Sequence, residues 1–75
     1  MREGRNGKIE RAVAANLRRL REAKGLSQEQ AAVRFGVTRN TWHAWENDRP
    51  VGAMTRLPEL AEFFGVAEDE LIRLA

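Results

Sequence analysis

The sequence predicts an all-α domain of five helices. Three observations carry that reading. Apolar residues recur at steps of three and four through each long segment. Glycines at 25, 36 and 65 break those segments where one helix would end. No run of alternating β-branched and aromatic residues is present to suggest a strand.

Residues 1–8, MREGRNGK, are read as a flexible basic arm, because they hold two glycines and almost nothing apolar. Arms of this composition can follow a DNA groove. The first helix is expected over about Ile9 to Lys24, where Ile9, Val13, Leu17 and Leu20 form one apolar stripe. Arg11, Arg18, Arg19 and Lys24 lie off that stripe and read as solvated charges. Gly25 stops the helix, and Leu26 turns back into the core.

The second helix starts at a capping box, Ser27 with Gln30 three residues on. Ala31, Ala32 and Phe35 share its inner face. Gly36 ends it, since the chain there needs a left-handed residue and glycine takes that conformation without a steric penalty. Thr38 then caps a third helix, with Val37 and Trp42 placed as a hydrophobic staple. Trp42 and Trp45 point inward on this helix, leaving Arg39, Asn40, His43 and Ala44 outside. Arg and Asn on a short capped helix suit base edges, because Arg forks onto guanine and Asn bonds adenine through both its amide groups.

Asn47 to Ala53, NDRPVGA, reads as a loop. A fourth helix capped by Thr55 follows, with Pro58 as its third residue and Leu57, Leu60, Ala61 and Phe64 as its buried stripe. Gly65 ends it and Val66 packs inward. The fifth helix is expected over about Glu68 to Leu74, its three opening acids suiting the positive helix end. Ala67 is a poor cap for it. Leu71, Ile72 and Leu74 offer more apolar surface than one short helix needs, so they serve core closure or a dimer contact.

The paired helices from Ser27 to Glu46 resemble the helix-turn-helix of the phage repressor and Cro class, the XRE family, with its lambda-repressor-like fold. Gln28, Ala32, Gly36-Val37-Thr38, Glu46-Asn47, Leu57-Pro58-Glu59-Leu60-Ala61 and Phe64-Gly65-Val66 carry the resemblance, which spans roughly residues 9 to 74. It implies that the third helix is the recognition helix in the major groove. Arg39, Asn40, His43 and Ala44 would then read bases, Ala44 by methyl contact alone. Ser27, Gln28, Thr38, Asn47 and Arg49 would meet phosphates, with Gln28 taking the family's phosphate anchor at a helix N-terminus. The resemblance also implies a buried salt bridge between Arg21 and Glu46.

The chain departs from the family pattern at Ala31, where relatives usually carry Leu, and at Trp42, where they carry Ile or Val. A loss of volume on one helix is thus expected to answer a gain on its neighbour. Asp48 stands where a glycine is usual, and an Asp tolerates the left-handed region.

At 75 residues the chain makes one domain, 9–75 beyond the arm. It has no cysteine, which excludes disulfides and thiolate metal sites and points to a reducing cytoplasm. No metal and no cofactor is expected. The net charge of +2 hides an asymmetry: residues 1–49 carry eleven Lys and Arg against six acids, whereas residues 50–75 carry two against five. The basic part coincides with the helix pair and suits a polyanion. His43 is the only histidine, Ser27 is used as a cap, and no glycine-rich phosphate loop follows a strand, so no catalytic constellation is available. The leading expectation is a DNA-binding transcriptional regulator, a repressor acting as a homodimer on a two-fold symmetric operator. A second reading is a protein-interaction module such as an antitoxin, with the acidic C-terminal third facing a protein partner. Steep salt dependence of duplex binding favours the first, and an adjacent toxin gene the second.

Overall fold

A computed structural model describes the backbone of residues 2–47 and 49–74, and their side chains from Gly7 onward. Its described residues are helical and turn structure, without strands. The helices are α1 (Arg2–Ala23), α2 (Gln28–Phe35), α3 (Arg39–Asn47), α4 (Val51–Met54), α5 (Leu57–Phe64) and α6 (Asp69–Ile72).

α1 begins at Arg2, not Ile9, so the first helix already runs through residues 2–8, the stretch read as an arm. Gly4 and Gly7 each disfavour a helix interior by about 1 kcal/mol relative to Ala, but neither forbids it and no proline intervenes. The stripe is buried from Val13 through Leu17 and Leu20, whereas Ile9 is 37% exposed. A helix of 22 residues outruns the small core it packs on, and its contacts go to α3 and α6. Ile9 therefore overhangs that core.

α2 and α3 form the expected pair. Ser27 Oγ accepts from the Gln30 N–H, and Gln30 Oε1 accepts from the Ser27 N–H, at 3.0 and 2.8 Å. Gly36 takes φ 89° at the turn. Thr38 Oγ1 accepts from the Thr41 N–H at 3.1 Å and so caps α3.

All five aromatic residues of the chain pack together. Phe35, Trp42, Trp45, Phe63 and Phe64 form one cluster, with edge-on pairs such as Phe35–Trp42 at 5.9 Å and Phe63–Phe64 at 4.9 Å. Such pairs add about 0.5–1.5 kcal/mol each beyond area burial. Trp42 and Ala31 are both fully buried, as the paired departure in volume requires.

Two expectations for the C-terminal third are corrected. Val51–Met54 is a turn of helix that begins inside the stretch read as loop, making six helices where five were expected. Gly52 permits this, because a Cβ there would lie 3.1 Å from Trp45 Nε1. The added turn takes Thr55 as its own C-terminal residue, and Thr55 Oγ1 donates to Gly52 O at 2.7 Å. Thr55 thus does not cap α5, which starts at Leu57 with Pro58 second. Arg56 precedes α5 and lies over the Phe35 ring at 4.5 Å.

α6 is shorter than expected, because the chain turns extended at Arg73. Leu71 is fully buried and closes the core, but Ile72 and Leu74 are 38% and 48% exposed. Buried Asn16 holds this end, donating through Nδ2 to the carbonyls of Leu71 and Arg73, both at 2.9 Å. That amide supplies the C-terminal capping that α6 lacks in its own sequence. Asp48, read as a left-handed residue after α3, lies outside the described residues.

Candidate nucleic-acid interface

α3 is divided lengthwise. Trp42, Trp45 and Glu46 are buried, while Arg39, Asn40, His43 and Asn47 are exposed on the opposite side and Ala44 is half-buried at its edge. The outward face begins at the N-terminal end of the helix and is cationic and amide-bearing. Ser27 and Thr38 are exposed beside it, and Arg49 is exposed just past its end. Both hydroxyls already serve as caps, so they hold the helix starts that frame this face.

Glu46 holds the pair of helices together from beneath. Its Oε2 accepts from Arg21 Nε at 2.6 Å and from Trp42 Nε1 at 2.6 Å. Its Oε1 accepts from Arg21 Nη2 and from Gln28 Nε2, both at 3.0 Å. A carboxylate offers about four lone-pair directions, and here each has a donor. The side chain has no solvent exposure, against 11% for Arg21. Arg21 also donates through Nη1 to Leu26 O at 2.7 Å, tying the turn before α2 into the same network.

Burial pushes the Glu46 carboxyl up, but the hydrogen bonds from Arg21, Gln28 and Trp42 and the guanidinium charge outweigh it, so it titrates below the ordinary carboxylate value. Its bond to Glu46 correspondingly raises the Arg21 guanidinium, against a smaller opposing effect of burial.

The sequence placed Arg21 against Glu46 and the structure joins them. It did not place Trp42 or Gln28 on the same carboxylate. For Trp42 the signal was available, since Trp42 and Glu46 are four apart on one helix and face the same way. For Gln28 it was not, because that contact crosses between helices.

Gln28 is half-buried, and its amide spans from Glu46 to His43, with Oε1 lying 3.1 Å from His43 Nδ1. Asn47 Nδ2 donates to His43 O at 3.0 Å and lies 3.3 Å from Nδ1. Gln28, His43 and Asn47, expected to act separately on phosphate and base, are therefore brought together in one chain of contacts. Arg39 and Asn40 are brought to the same side of α3 without joining it, and Arg49 is exposed beyond the helix end. A shallow groove between α1 and the end of α3 sets Arg11 and Arg18 beside Asn47. The sequence had left both arginines as solvated charges.

Among the described residues no group of three or more His, Cys, Asp or Glu could hold a metal ion. No helix among them is long and apolar enough to cross a membrane.

The chain is similar over 64 residues, at 34% identity, to a protein of Sinorhizobium fredii (strain NBRC 101917 / NGR234) named as an uncharacterized HTH-type transcriptional regulator, y4dJ. That alignment covers 85% of this chain and 83% of the relative. No solved structure matches it. A family model described as a helix-turn-helix domain matches residues 12–74, which take in the capped helix pair, the Arg21–Glu46 bridge and the C-terminal helices. The chain belongs to the helix-turn-helix domain family.

Proposed function

We propose that this protein is a transcriptional regulator that binds double-stranded DNA through the outward face of α3. The observation that carries the reading is the division of that helix. Arg39, Asn40 and His43 are exposed along one side, opposite a fully packed side anchored by Trp42 and Glu46. Arg39 and Asn40 read base edges from the helix N-terminus, and Ala44 offers a methyl contact. Arg49, Asn47 and the first turn of α2 meet phosphates. Because the Gln28 side chain bonds Glu46, its backbone N–H, free as first-turn groups are, is the better phosphate donor. The name of the Sinorhizobium relative agrees with a regulatory role.

The protein acts in the cytoplasm as a repressor and as a homodimer on a two-fold symmetric operator. Exposed Ile72 and Leu74, close in sequence in the C-terminal segment, support self-association there. Selection of bound duplexes from a random pool tests the reading. Enrichment of an inverted repeat supports both the base contacts and the symmetry. Binding with no enriched sequence would refute base reading.

A further inference from the structure

The chain's one histidine carries a ring whose protonation pattern is dictated from the core. Arg21 keeps Glu46 ionised, and an ionised carboxylate accepts hydrogen bonds but donates none. Gln28 must therefore turn its NH2 group toward Glu46 Oε1, the 3.0 Å contact. The reversed amide would set an oxygen against a carboxylate oxygen. With the NH2 group committed, the Gln28 carbonyl oxygen is the atom that meets His43 Nδ1 at 3.1 Å. An amide oxygen only accepts, so Nδ1 must bear the hydrogen. The Asn47 amide, at 3.3 Å from the same nitrogen, would need Nδ1 to accept instead. Asn47 has a shorter outlet, the His43 carbonyl at 3.0 Å, and yields.

We propose that Glu46 and Gln28 form a relay that holds neutral His43 as the Nδ1–H tautomer, so that Nε2 faces the duplex as a hydrogen-bond acceptor. His43 then selects a base whose major-groove edge offers an amino group, cytosine through N4 or adenine through N6, and disfavours guanine and thymine at that position. Gln28 is a positioning residue here, acting on the base through His43. The base preference rests on the α3 reading above, whereas the tautomer does not.

A free imidazole side chain favours the opposite, Nε2–H form, so the relay has a distinct signature. Long-range proton–nitrogen correlation spectra of the ring read it, at about pH 8.5, where an ordinary imidazole is neutral. The single histidine makes assignment unambiguous. The expected result for the unliganded wild-type protein is a pyrrole-type shift at Nδ1 and a pyridine-type shift at Nε2. In Gln28→Leu, which removes the amide while keeping similar bulk, the two shifts should exchange. A wild-type ring with its proton on Nε2 would overturn the relay without any need for the variant to fold.

The duplex arm uses binding to the selected sequence with each of the four bases at the position that His43 faces. The wild type should prefer the amino-bearing bases by about five- to tenfold, the size of one net hydrogen bond, and His43→Ala should lose that preference. An Nδ1–H ring with equal affinity for all four bases would overturn the base assignment. An Nδ1–H ring with no binding to any duplex would instead overturn the α3 reading itself.

Discussion

Replacing Arg21 with Met tests whether the Arg21–Glu46 bridge is the joint between α1 and α3. The carboxylate it strands has no solvent exposure and keeps two neutral donors, Trp42 Nε1 and Gln28 Nε2. Breaking a buried pair from one side typically costs about 3–5 kcal/mol. Glu46→Met should cost a similar amount, at the lower end, because the long Arg21 stem can carry its charge toward water. The double variant leaves no buried charge. Its remaining cost is the unpaired Trp42 N–H and the Leu26 carbonyl that Arg21 no longer meets, about 1–3 kcal/mol. The singles together should thus exceed the double by at least ~3 kcal/mol.

Urea unfolding followed by tryptophan fluorescence gives each value, both indoles being buried in the core. A domain of this size holds roughly 4–11 kcal/mol in all, so the measurement belongs near ~15 °C, close to maximum stability. pH supplies a second axis. The Glu46 pKa is depressed in the folded state, so its contribution is complete above the ordinary value of 4.5 and is lost as pH falls through the lower folded value. In Arg21→Met burial is no longer outweighed, the folded pKa rises, and acidification relieves the stranded charge. The gap between wild type and Arg21→Met should therefore begin to narrow above pH 4.5, as the variant's carboxyl protonates, and go on narrowing below it as the wild type loses its own contribution. Additive single costs, to within about 0.5 kcal/mol, would show that the two side chains do not share a joint.

Trp42→Phe should cost about 1–3 kcal/mol by stranding one acceptor direction of Glu46, and Trp42→Ala about 3–5 kcal/mol by emptying the core position; a Trp42→Phe cost below about 0.5 kcal/mol in chemical denaturation would deny the indole N–H a role. Asn16→Leu should free the carbonyls of Leu71 and Arg73, seen as faster amide exchange in α6 with α2 and α3 unchanged; unaltered exchange in α6 would remove Asn16 from its capping role. Arg39→Ala should relax one base position at a cost of about 1–3 kcal/mol against the preferred sequence. Arg49→Ala should weaken all duplexes alike and lower the salt slope by about one. Uniform losses from both would reverse the proposed division between base and phosphate contacts.

Most of the fold was legible because local signals and periodicity agreed. Ser27 with Gln30, Gly36 and Thr38 fixed the boundaries of α2 and α3, and each is a local interaction whose partner lies within a few residues. The misreadings arose where distant packing overrode local chemistry. Pro50, Gly52 and their neighbours look like a loop, but Gly52 lets a turn of helix close against Trp45, which sequence spacing cannot foretell. Thr55 looked like an N-cap because threonine suits either end of a turn, and the inserted helix claimed it first. Ile9 fitted the stripe perfectly well, but periodicity gives a direction around the helix and not where the core ends along it.

The outward face was legible for a related reason, and its wiring was not. Burial of Trp42 and Trp45 dictates which residues of α3 must face out, so Arg39, Asn40 and His43 follow from helical geometry alone. The hydrogen bonds among Gln28, Glu46, His43 and Asn47 depend on interhelical spacing of a few tenths of an ångström. The bridge from α1 holds the Glu46 carboxylate that the Gln28 amide meets. Losing Glu46 would both unlock α1 from α3 and release the amide that orients the one ring on the exposed face. Stability and readout therefore meet at one carboxylate. A variant that keeps the charge pair but alters Gln28 separates them in part, since losing one of the four donors to Glu46 should cost about 1–3 kcal/mol, less than breaking the bridge, while the ring tautomer and the base preference move together.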